Sequence, residues 1–591
     1  MEHPKTHLED NLTPRKSRSL LAATLAGALV ISGWTASAIA QPSEDKTPDP
    51  DTTDVPPDLD DAIWETVYIE SDLDTDGSGE PDRIAVEIVR PAETEDGEQV
   101  PVIAQPSPYY DRTLASLADD DFHLPIGDGQ DPSHFSQWYH EHFVPEGYAY
   151  IEPEMQGTAA STGCPTTGGV EDTCSVEAVV DWIAGRTTAE YEDGSAAEAT
   201  WAEPNIGMIG TSYNGTLPNA AAATGLEEVK AIVPIAAISS WYDYTRTQGA
   251  GMAGWDVDYV KGLASRVANP QARDNCADLW DDLAVEGDDD TYDMNELWDE
   301  RNYLNNADQV TAGVLHVHGQ NDHNVKTTHT GQWWNELAEH DVDQKLWLHP
   351  GAHSDPTGET AETRQLVQDW FDYFLKDVDN GILDTPDVIV DREDGSTDHY
   401  DDWPNPSGDD ETFFFGEDDN GLGTLSDDSS ATGTHTSAGD IEGEVSDVIS
   451  DPFELRDERS IYFTEPVDGD QHLSGIVDLD LTFESATSST PLNAVLFAIG
   501  EDDDEPRFIT HGGADAKNHE DMWQEQELVP GQEYSMNVEL EPRDDIIADG
   551  ERIGLAVIGN HPGLTTHDPN AESLDIHLGA SALNLNLTPT T

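Results

Sequence analysis

Cysteine is scarce in this sequence of 591 residues, which contains only Cys164, Cys174 and Cys276. So small a number excludes a fold held together by a disulfide framework, and it excludes a zinc site built mainly from cysteine. Cys164 and Cys174 are close in sequence and could close a short loop, although spacing alone cannot establish the pairing. At about 150 residues per domain, the chain is long enough for more than one hydrophobic core.

Positive charge is also scarce. Lys and Arg total 26 against 122 Asp and Glu, which gives a formal net charge of −96. Such a chain repels nucleic-acid phosphates and anionic lipids, so partners of both kinds are excluded. Because the acidic residues are spread over the whole chain while apolar runs recur, we predict a folded protein with an acidic surface. At about 1 M salt the Debye length of about 3 Å screens the repulsion, and we therefore hypothesise a salt-adapted organism.

The N-terminus has the pattern of an export signal. Basic residues up to Arg18 precede an apolar run over residues 20–34, and Ala38-Ile39-Ala40 has the small-x-small form that signal peptidase needs. The run is shorter than the roughly 20 residues that span a bilayer, which argues against a membrane anchor. We predict a signal peptide over residues 1–40 cleaved after Ala40, an acidic Pro-rich linker over 41–61, and a secreted protein with no membrane association after cleavage.

Short apolar runs alternate with helical stretches over residues 62–382, and several runs are apolar enough to be buried on both faces. This alternation predicts a largely parallel α/β sheet, interrupted by a helical cap over about 245–308. From residue 383 to 591, period-two alternation between Gly, Asp and Pro turns predicts a second, all-β domain, a sandwich or jelly roll. The segment 417–440 is so rich in Gly, Ser and Asp that we expect a long loop. The predicted strands of the first domain are 67–69, 84–89, 101–104, 206–209, 231–235, 314–317 and 345–348.

One segment has the context of a catalytic nucleophile. Gly210-Thr211-Ser212-Tyr213-Asn214 lies between the predicted strand 206–209 and a helix of small residues that begins near Gly215. A strand–turn–helix of this kind holds a serine on a sharp turn. Asn214 stands where the usual pattern has a second glycine. Either Asn214 adopts a positive φ, which asparagine tolerates well, or the position must be small for close helix packing.

A serine hydroxyl becomes nucleophilic when a histidine accepts its proton, and that histidine needs an acid to fix its tautomer. In this type of fold the partners follow in the order Ser, Asp, His at the ends of strands. Asp322 follows the predicted strand 314–317, and His353 follows the predicted strand 345–348. Order and context agree, so we predict a catalytic triad of Ser212, Asp322 and His353.

Other histidines and acids compete for these roles. We expect the histidines within or beside the strands to be core residues, and the others to occupy surface or helix positions. Asp355 is only two residues from His353, too close to orient its ring well. The competing core histidines are His316, His318 and His349, and the surface or helix histidines are His323 and His329.

A run of alternating acids resembles the start of a calcium-binding loop. Asp72, Asp74 and Asp76 precede a glycine, and this spacing aims oxygen atoms around a hard cation. However, Arg83 stands at the twelfth position, where an EF-hand has glutamate, and the segment lies between two predicted strands. We expect an acidic hairpin turn, with a structural calcium site far from Ser212 as the alternative.

Four segments together resemble the secreted Xaa-Pro dipeptidyl-peptidases, a serine-peptidase family within the α/β-hydrolases that also includes cocaine esterase and the α-amino-acid ester hydrolases. The similarity runs from about residue 63 to the C-terminus. It implies an α/β-hydrolase fold with an inserted helical cap, followed by a C-terminal β jelly-roll domain. The four segments are Ser107-Pro108-Tyr109-Tyr110, Gly210-Thr211-Ser212-Tyr213-Asn214-Gly215, Ser239-Ser240-Trp241-Tyr242-Asp243-Tyr244 and Asn321-Asp322-His323-Asn324-Val325.

The resemblance implies a role for each matched position. Ser212 attacks the substrate carbonyl carbon, His353 acts as base and then as acid, and Asp322 orients His353. The backbone N–H of Tyr213 and the hydroxyl of Tyr109 hold the oxyanion. Four further residues are candidates for substrate binding, each of which could instead be structural, and no carboxylate stands out as the clamp for a substrate ammonium group. These four are Trp241, Tyr242, Tyr244 and Asn324.

We therefore predict a secreted serine exopeptidase that releases Xaa-Pro dipeptides from peptide N-termini through an acyl-enzyme and requires no cofactor. Its partners would be peptides with proline at the second position. One alternative is an esterase or an amino-acid-ester or β-lactam acyl hydrolase on the same scaffold, because only the acyl pocket would differ. The other is a non-catalytic cell-surface binding protein, against which a complete Ser-Asp-His set argues. The sequence leaves the oligomeric state open.

Overall fold

The computed structural model describes residues 59, 61–110, 138–255, 258–441, 443–500 and 505–590. The predicted signal peptide over 1–40 and nearly all of the predicted linker over 41–61 lie outside the described residues. Among the residues that are described, no helix has both the length and the apolar character needed to cross a membrane.

The first part of the chain is built on a 12-stranded sheet of described residues. Each predicted strand of this part lies within a longer observed strand. The strands of this sheet are β1 (Ile63–Glu70), β2 (Arg83–Arg90), β3 (Val100–Ala104), β4 (Ala149–Pro153), β5 (Ala189–Glu190), β6 (Ala196–Ala197), β7 (Ala202–Thr211), β8 (Val229–Ile235), β11 (Gly313–Gly319), β12 (Gln344–His349), β13 (Val388–Asp391) and β14 (Thr397–Tyr400). The short strands β9 (Arg246–Thr247) and β10 (Ala250–Gly251) pair with each other in a separate two-stranded sheet.

The strands β4, β3, β7, β8, β11, β12 and β13 are consecutive neighbours and pair in parallel. β3 and β11 are buried at every position, as expected of parallel strands covered by helices on both faces. In a parallel sheet the carboxyl ends of all strands meet at one edge, and the loops there form the usual site of an open α/β fold. β13 and β14 follow the predicted domain boundary at residue 382 yet extend this sheet, so the α/β sheet ends at Tyr400.

Helices cover the sheet and form the insert between β8 and β11. α10 shows how the sequence positions them: Thr360 caps its N-terminus by accepting the N–H of Thr363, and the helix buries Val367, Trp370 and Phe371 against the sheet. The helices are α1 (Tyr139–Phe143), α2 (Val170–Ile183), α3 (Tyr213–Ala222), α4 (Trp241–Thr245), α5 (Tyr259–Val267), α6 (Pro270–Asn275), α7 (Ala277–Gly287), α8 (Glu296–Glu300), α9 (Thr327–Ala338) and α10 (Ala361–Lys376).

The helices α5–α8 lie where the sequence predicts a cap. Their apolar residues Leu283, Leu297 and Trp298 are buried, and they belong to the same core cluster as Tyr213 and Trp241. The cap therefore packs on the sheet edge that bears the predicted nucleophile, and its core is continuous with that edge.

A disulfide bond joins Cys164 to Cys276, with their Cα atoms 5.7 Å apart. The suggested pairing of Cys164 with Cys174 is therefore wrong. Cys174 is a free, half-buried thiol on α2, and burial together with nearby Glu177 raises its pKa to about 12. The cap brings Cys276 to Cys164 from a distant part of the sequence, which spacing alone could not indicate.

The rest of the chain forms the jelly-roll β domain, an 11-stranded sheet system of described residues. β19 confirms the period-two pattern: Leu479, Leu481 and Phe483 are buried, whereas Asp480 between them is exposed. The elements are β15 (Asp409–Glu417), β16 (Gly423–Ser426), β17 (Thr434–Ala438), α11 (Val445–Ile449), β18 (Ser460–Phe463), β19 (Gln471–Ser485), β20 (Pro491–Ile499), β21 (Arg507–Asp515), β22 (Glu533–Ile547), β23 (Arg552–Ile558), β24 (Ser573–His577) and β25 (Ala582–Pro589).

The expected long loop over 417–440 is wrong, because the segment contains β16 and β17. β16 pairs with β15 and β18, and β17 pairs with β24. Backbone hydrogen bonds to strands elsewhere in the chain hold these short strands, despite a composition that is poor for strands.

Candidate active site

Ser212 lies on the turn between β7 and α3, as the sequence predicts. Its φ of 63° and ψ of −128° form a strained backbone conformation that a residue with a Cβ adopts only when its surroundings impose it. The N–H of Ser212 donates to the carbonyl of Ile235 at 2.9 Å, and the N–H of Thr216 donates to the Ser212 carbonyl at 2.8 Å. The turn is thus fixed to the neighbouring strand and to the first turn of α3.

Two glycines allow this turn to be so tight. A Cβ atom on Gly210 would lie 2.5 Å from the carbonyl oxygen of Asn214, and one on Gly215 would lie 2.4 Å from the carbonyl oxygen of Gly210. Asn214 itself lies inside α3 and is buried. The explanation of Asn214 by a positive φ is therefore wrong, because the positive φ belongs to Ser212.

Asp322 and His353 meet directly. Nδ1 of His353 lies 2.7 Å from Oδ2 of Asp322. The other carboxylate oxygen, Oδ1, accepts the N–H groups of Asn324 at 2.8 Å and Val325 at 3.0 Å. With its carboxylate held from both sides and its side chain buried, Asp322 favours the imidazole tautomer in which Nδ1 bears the proton and Nε2 has the lone pair that can accept one.

The competing histidines on the strands are core residues, as predicted. His316, His318 and His349 are buried. Burial lowers the pKa of His316 to about 3 and that of His349 to about 4, and it also lowers the pKa of His318. These rings are therefore neutral at neutral pH. Nε2 of His318 lies 2.8 Å from the carbonyl oxygen of Val325, so this ring stabilises the loop that contains Asp322.

The remaining candidates occupy other positions. His329 lies on α9, but it is buried, and its Nδ1 accepts the N–H of Ser239. His323 is exposed. Asp355 accepts hydrogen bonds from the Tyr139 hydroxyl at 2.8 Å and from Thr357. Asp355 thus serves a separate group of side chains.

Tyr109 and Tyr213, the two residues predicted to form the oxyanion hole, are in contact. Their ring centroids are 5.9 Å apart in an edge-to-face arrangement. The N–H of Tyr109 donates to Oγ of Ser107 at 3.0 Å. The contact places Tyr109 next to the residue that follows Ser212.

Asp172 holds Tyr213 in place through a hydrogen bond, and no motif in the sequence marks Asp172 as a functional residue. Its carboxylate accepts hydrogen bonds from the Tyr213 hydroxyl and from the N–H of Gly168. Asp172 is buried, and this burial raises its pKa although its hydrogen bonds oppose the shift. Since acidic residues occur throughout the chain, only the fold distinguishes this one.

An aromatic cluster continues from Tyr213 toward the cap. Trp241 lies 4.8 Å from Tyr213 between ring centroids, Tyr244 lies 5.6 Å from Trp241, and Trp255 lies 4.3 Å from Tyr244. Trp241 is buried, and its Nε1 donates to the Tyr303 hydroxyl at 3.1 Å. These contacts enclose Trp241, which favours the structural alternative for this residue.

The other predicted binding residues separate into two groups. The hydroxyl of Tyr244 donates to Oδ1 of Asn324 at 2.8 Å, which places this pair beside Asp322. Tyr242 points into the cap instead: its hydroxyl donates to the carbonyl of Tyr292 at 2.9 Å and accepts the N–H of Gly249 at 3.0 Å. These contacts favour the structural alternative for Tyr242. Partly buried Trp255 was missed because no motif surrounds it.

The acidic turn between β1 and β2 differs in one member from the suggested calcium site. Asp74, Asp76 and Asp82 each offer an oxygen within 4.8 Å of the others, whereas Asp72 is outside this group. The Asp74 carboxylate accepts the N–H groups of Ser78 at 2.9 Å and Gly79 at 2.8 Å, as expected of a hairpin turn. Calcium binding there stays a prediction.

Comparison with known proteins identifies the family of this chain. A family model described as X-Pro dipeptidyl-peptidase (S15 family) matches residues 76–355, and a model of the X-Pro dipeptidyl-peptidase C-terminal non-catalytic domain matches residues 380–590. A putative Xaa-Pro dipeptidyl-peptidase of Bacillus anthracis is 33% identical over 532 residues, which cover 89% of this chain and 88% of the relative. The chain belongs to the X-Pro dipeptidyl-peptidase family. Membership of this serine-peptidase family agrees with a nucleophile on the turn at Ser212.

Solved structures confirm the predicted fold class. A CocE/NonD family hydrolase from Staphylococcus aureus superposes with a TM-score of 0.66 at 16% identity, covering 88% of this chain and 93% of that chain. An α-amino acid ester hydrolase superposes with a TM-score of 0.60 at 15% identity, covering 92% of this chain and all of that chain (100%). At these identities the likeness establishes the fold alone, an α/β-hydrolase followed by a β domain.

Proposed function

We propose that this protein is a secreted serine exopeptidase that releases Xaa-Pro dipeptides from the N-termini of peptides. The proposal rests on one observation above all, the 2.7 Å contact between Nδ1 of His353 and Oδ2 of Asp322. Ser212, on a strained turn, follows β7 at the same carboxyl edge of the sheet. The family supplies the class of substrate, since its members are named for peptides that contain proline.

In the proposed reaction, Oγ of Ser212 attacks the carbonyl carbon of the second substrate residue while Nε2 of His353 accepts the hydroxyl proton. Asp322 stabilises the imidazolium that forms. The negative oxygen of the tetrahedral intermediate accepts hydrogen bonds from the Tyr213 N–H and the Tyr109 hydroxyl. His353 then donates its proton to the leaving amine, and the C–N bond breaks to leave an acyl ester on Ser212. Water, deprotonated by His353, attacks this ester and releases the dipeptide.

The aromatic cluster next to Ser212 supports recognition of a proline ring. Tyr109 and Trp255 are its partly buried members, and an aromatic surface of this kind suits an apolar group, while Trp241 and Tyr213 are buried. The net charge of −96 favours a substrate with a free α-ammonium group. An exopeptidase of this kind needs both features.

The deciding experiment compares three chromogenic substrates in concentrated KCl: Gly-Pro-p-nitroanilide, its N-acetylated form and phenyl acetate. We expect rapid cleavage of the free peptide and none of the acetylated one. Ser212→Ala is the control for background hydrolysis. Equal cleavage of free and acetylated peptides would contradict the exopeptidase, and a preference for phenyl acetate would favour the ester hydrolase.

Two further measurements test the rest of the proposal. Labelling of Ser212 by a fluorophosphonate separates an enzyme from a non-catalytic binding protein, which would not react. Export predicts that the mature protein begins at Gln41, which N-terminal sequencing of the secreted chain can establish. A mature chain that retains residues 20–34 would contradict cleavage after Ala40.

A further inference from the structure

Strand β22 of the β domain contacts the loop between β11 and α9, which contains Asp322. The N–H of Asp544 donates to Oε1 of Gln320 at 2.9 Å, and the carbonyl of Pro542 accepts the hydroxyl of Thr327 at 2.8 Å. Adjacent parts of one strand therefore hold this loop on both sides of Asp322.

Arg543 lies between these two contacts, and its guanidinium faces the same loop. One of its terminal nitrogens donates to the carbonyl of Gln320, and the other donates to Oδ1 of Asn321 at 3.2 Å. Both acceptors are neutral, and within the described part of the chain Arg543 forms no ion pair with a carboxylate. Burial removes water from the guanidinium and thereby lowers its pKa. The carboxylates that act on its charge, those of Asp545, Glu541 and Glu393, lie beyond ion-pair distance.

Asn321 extends the contact to the loop of His353. Its Nδ2 donates to the carbonyl of Pro350 at 2.8 Å, and its N–H donates to the carbonyl of Gly351 at 3.1 Å. The oxygen and nitrogen of a carboxamide lie in one plane, so a hydrogen bond from Arg543 to Oδ1 also determines where Nδ2 points. Arg543 thus restrains both loops through one side chain.

The local backbone is shaped for this approach. A Cβ atom on Gly331 of α9 would lie 2.7 Å from Cγ of Pro542, so a glycine is needed for β22 to come this close. On the partner strand β19, the register shifts between Gly475 and Val477, and Gly475 pairs with Arg543. A β-bulge of this kind bends a strand and changes the direction of its side chains, which fits the position of Arg543 where the β domain meets the α/β domain.

We propose that Arg543 is a positioning residue for the reaction: through Gln320 and Asn321 it holds the two loops in the arrangement in which Asp322 meets His353. The proposal rests on the roles proposed above for Asp322 and His353. Arg543 belongs to the region that matches the family model described as a non-catalytic domain, and it acts only through the residues that it holds.

The test compares Arg543→Gln with Arg507→Gln. Both arginines line the same groove between the domains, but Arg507 bonds to Asp545 and Glu551 of the β domain and not to the Asp322 loop. The readouts are the rate of fluorophosphonate labelling of Ser212 and the pH profile of kcat/KM on phenyl acetate. We expect Arg543→Gln to slow labelling by about 10²-fold, the loss that a small misplacement of catalytic groups produces. Arg507→Gln should label at the wild-type rate.

The pH profile separates positioning from a loss of folded protein. Poorer placement of Asp322 weakens its support of the imidazolium, so the acid-side midpoint of kcat/KM should move to lower pH in Arg543→Gln. Partial unfolding would instead lower kcat/KM by the same factor at every pH and leave the pH of the midpoint unchanged. Equal labelling rates and equal midpoints in Arg543→Gln and Arg507→Gln would overturn the proposal.

Two more variants keep the proposal testable if Arg543→Gln does not fold. Arg543→Lys retains the charge but reaches only one of the two acceptors, so its labelling rate should lie between wild type and Arg543→Gln; a rate equal to wild type would refute the bidentate role. If lysine keeps the contact to the Gln320 carbonyl, the linkage that it breaks is the one to Asn321, and Asn321→Ala combined with Arg543→Lys should then lose no more than Asn321→Ala alone. Additive losses would contradict the linkage.

The assays also separate this inference from the proposed function. If wild type labels at Ser212 but does not cleave Gly-Pro-p-nitroanilide, the proposed substrate is wrong while the Arg543 comparison still stands. If wild type does not label at all, the proposed catalytic role of Ser212 fails first.

Discussion

Oδ2 of Asp322 lies 2.7 Å from Nδ1 of His353, while Oδ1 of the same carboxylate accepts two backbone N–H groups. One oxygen therefore faces the imidazole and the other is fixed to the loop. A carboxylate whose two oxygens have different partners in this way fixes both the position and the tautomer of the ring. Substitution of Asp322 or His353 should therefore change kcat more than KM.

Asp322→Asn should lower kcat by about 10⁴-fold, the loss known for the corresponding change in a serine protease, because an amide favours the wrong imidazole tautomer. The measurement is kcat on Gly-Pro-p-nitroanilide. The exposed Asp343→Asn makes the same chemical change on the surface and should retain the wild-type kcat. A kcat for Asp322→Asn close to that of wild type would show that another residue orients His353.

Tyr109→Phe should lower kcat by roughly 10²–10³-fold with little change in KM, as expected when one oxyanion donor is lost. Tyr110→Phe is the matched control, because the neighbouring hydroxyl donates to the Gln105 carbonyl at 2.8 Å. That control should lower the free energy of unfolding by about 1 kcal/mol and leave kcat unchanged. Equal kcat values for the two variants would remove Tyr109 from the oxyanion hole.

The double substitution Cys164→Ser with Cys276→Ser should lower the free energy of unfolding by roughly 2–5 kcal/mol, because the bond closes a long loop, with a sequence separation of 112. Denaturant titration with and without reductant measures the effect, and reduced wild type should match the double variant. Cys174→Ser is the control. Insensitivity of wild type to reductant would show that the bond does not contribute to stability.

Buried His316 should make the protein less stable in acid. Its folded pKa of about 3 lies below the ordinary value of 6.5, so the unfolded state binds an extra proton between these two pH values. The contribution of this neutral ring to stability is therefore complete above pH 6.5 and is lost as the pH falls toward 3. As the pH falls through this range, the unfolding free energy of wild type should decrease more steeply than that of His316→Gln. The two slopes should differ by up to about 1.36 kcal/mol per pH unit.

The exposed His340→Gln should leave that slope unchanged and serves as the control. The comparison between variants matters because protonation of many surface carboxylates changes the stability of all three proteins alike. Parallel curves for wild type and His316→Gln would contradict the prediction.

Salt should stabilise the fold. The net charge of −96 predicts that the thermal midpoint rises from low salt to about 1 M KCl, as the Debye length falls from about 10 Å at 0.1 M to about 3 Å. Sucrose at equal osmolality is the control, since it stabilises proteins by exclusion and does not screen charge. Equal midpoints in KCl and sucrose would show that charge screening is not the cause.

The sequence predicted those features that depend on short segments. The buried strands stand out because their apolar runs are continuous, and Ser212, Asp322 and His353 could be assigned because each follows such a strand in the expected order. The contact between Asp322 and His353 then follows from β11 and β12 being parallel neighbours.

Features that depend on contacts between distant segments could not be predicted. Asp172 supports Tyr213, Arg543 holds Asn321, and Cys276 pairs with Cys164 only because the fold brings these residues together. Each has an ordinary local sequence. For Trp241 and Tyr242 the sequence left substrate binding and a structural role open, because the same aromatic motif can serve packing or a binding surface, and burial of both residues favours packing.

The bond between Cys164 and Cys276 connects the start of α7 to the loop that leads to Gly168, and Gly168 in turn supports the Tyr213 hydroxyl. While this crosslink is intact, that side of the cap cannot swing away from the nucleophile turn. Such a bond forms only where thiols are oxidised, so a newly synthesised chain in a reducing compartment has a looser cap. The redox conditions around the protein thus determine whether this covalent link between the cap and the loop at Gly168 is present.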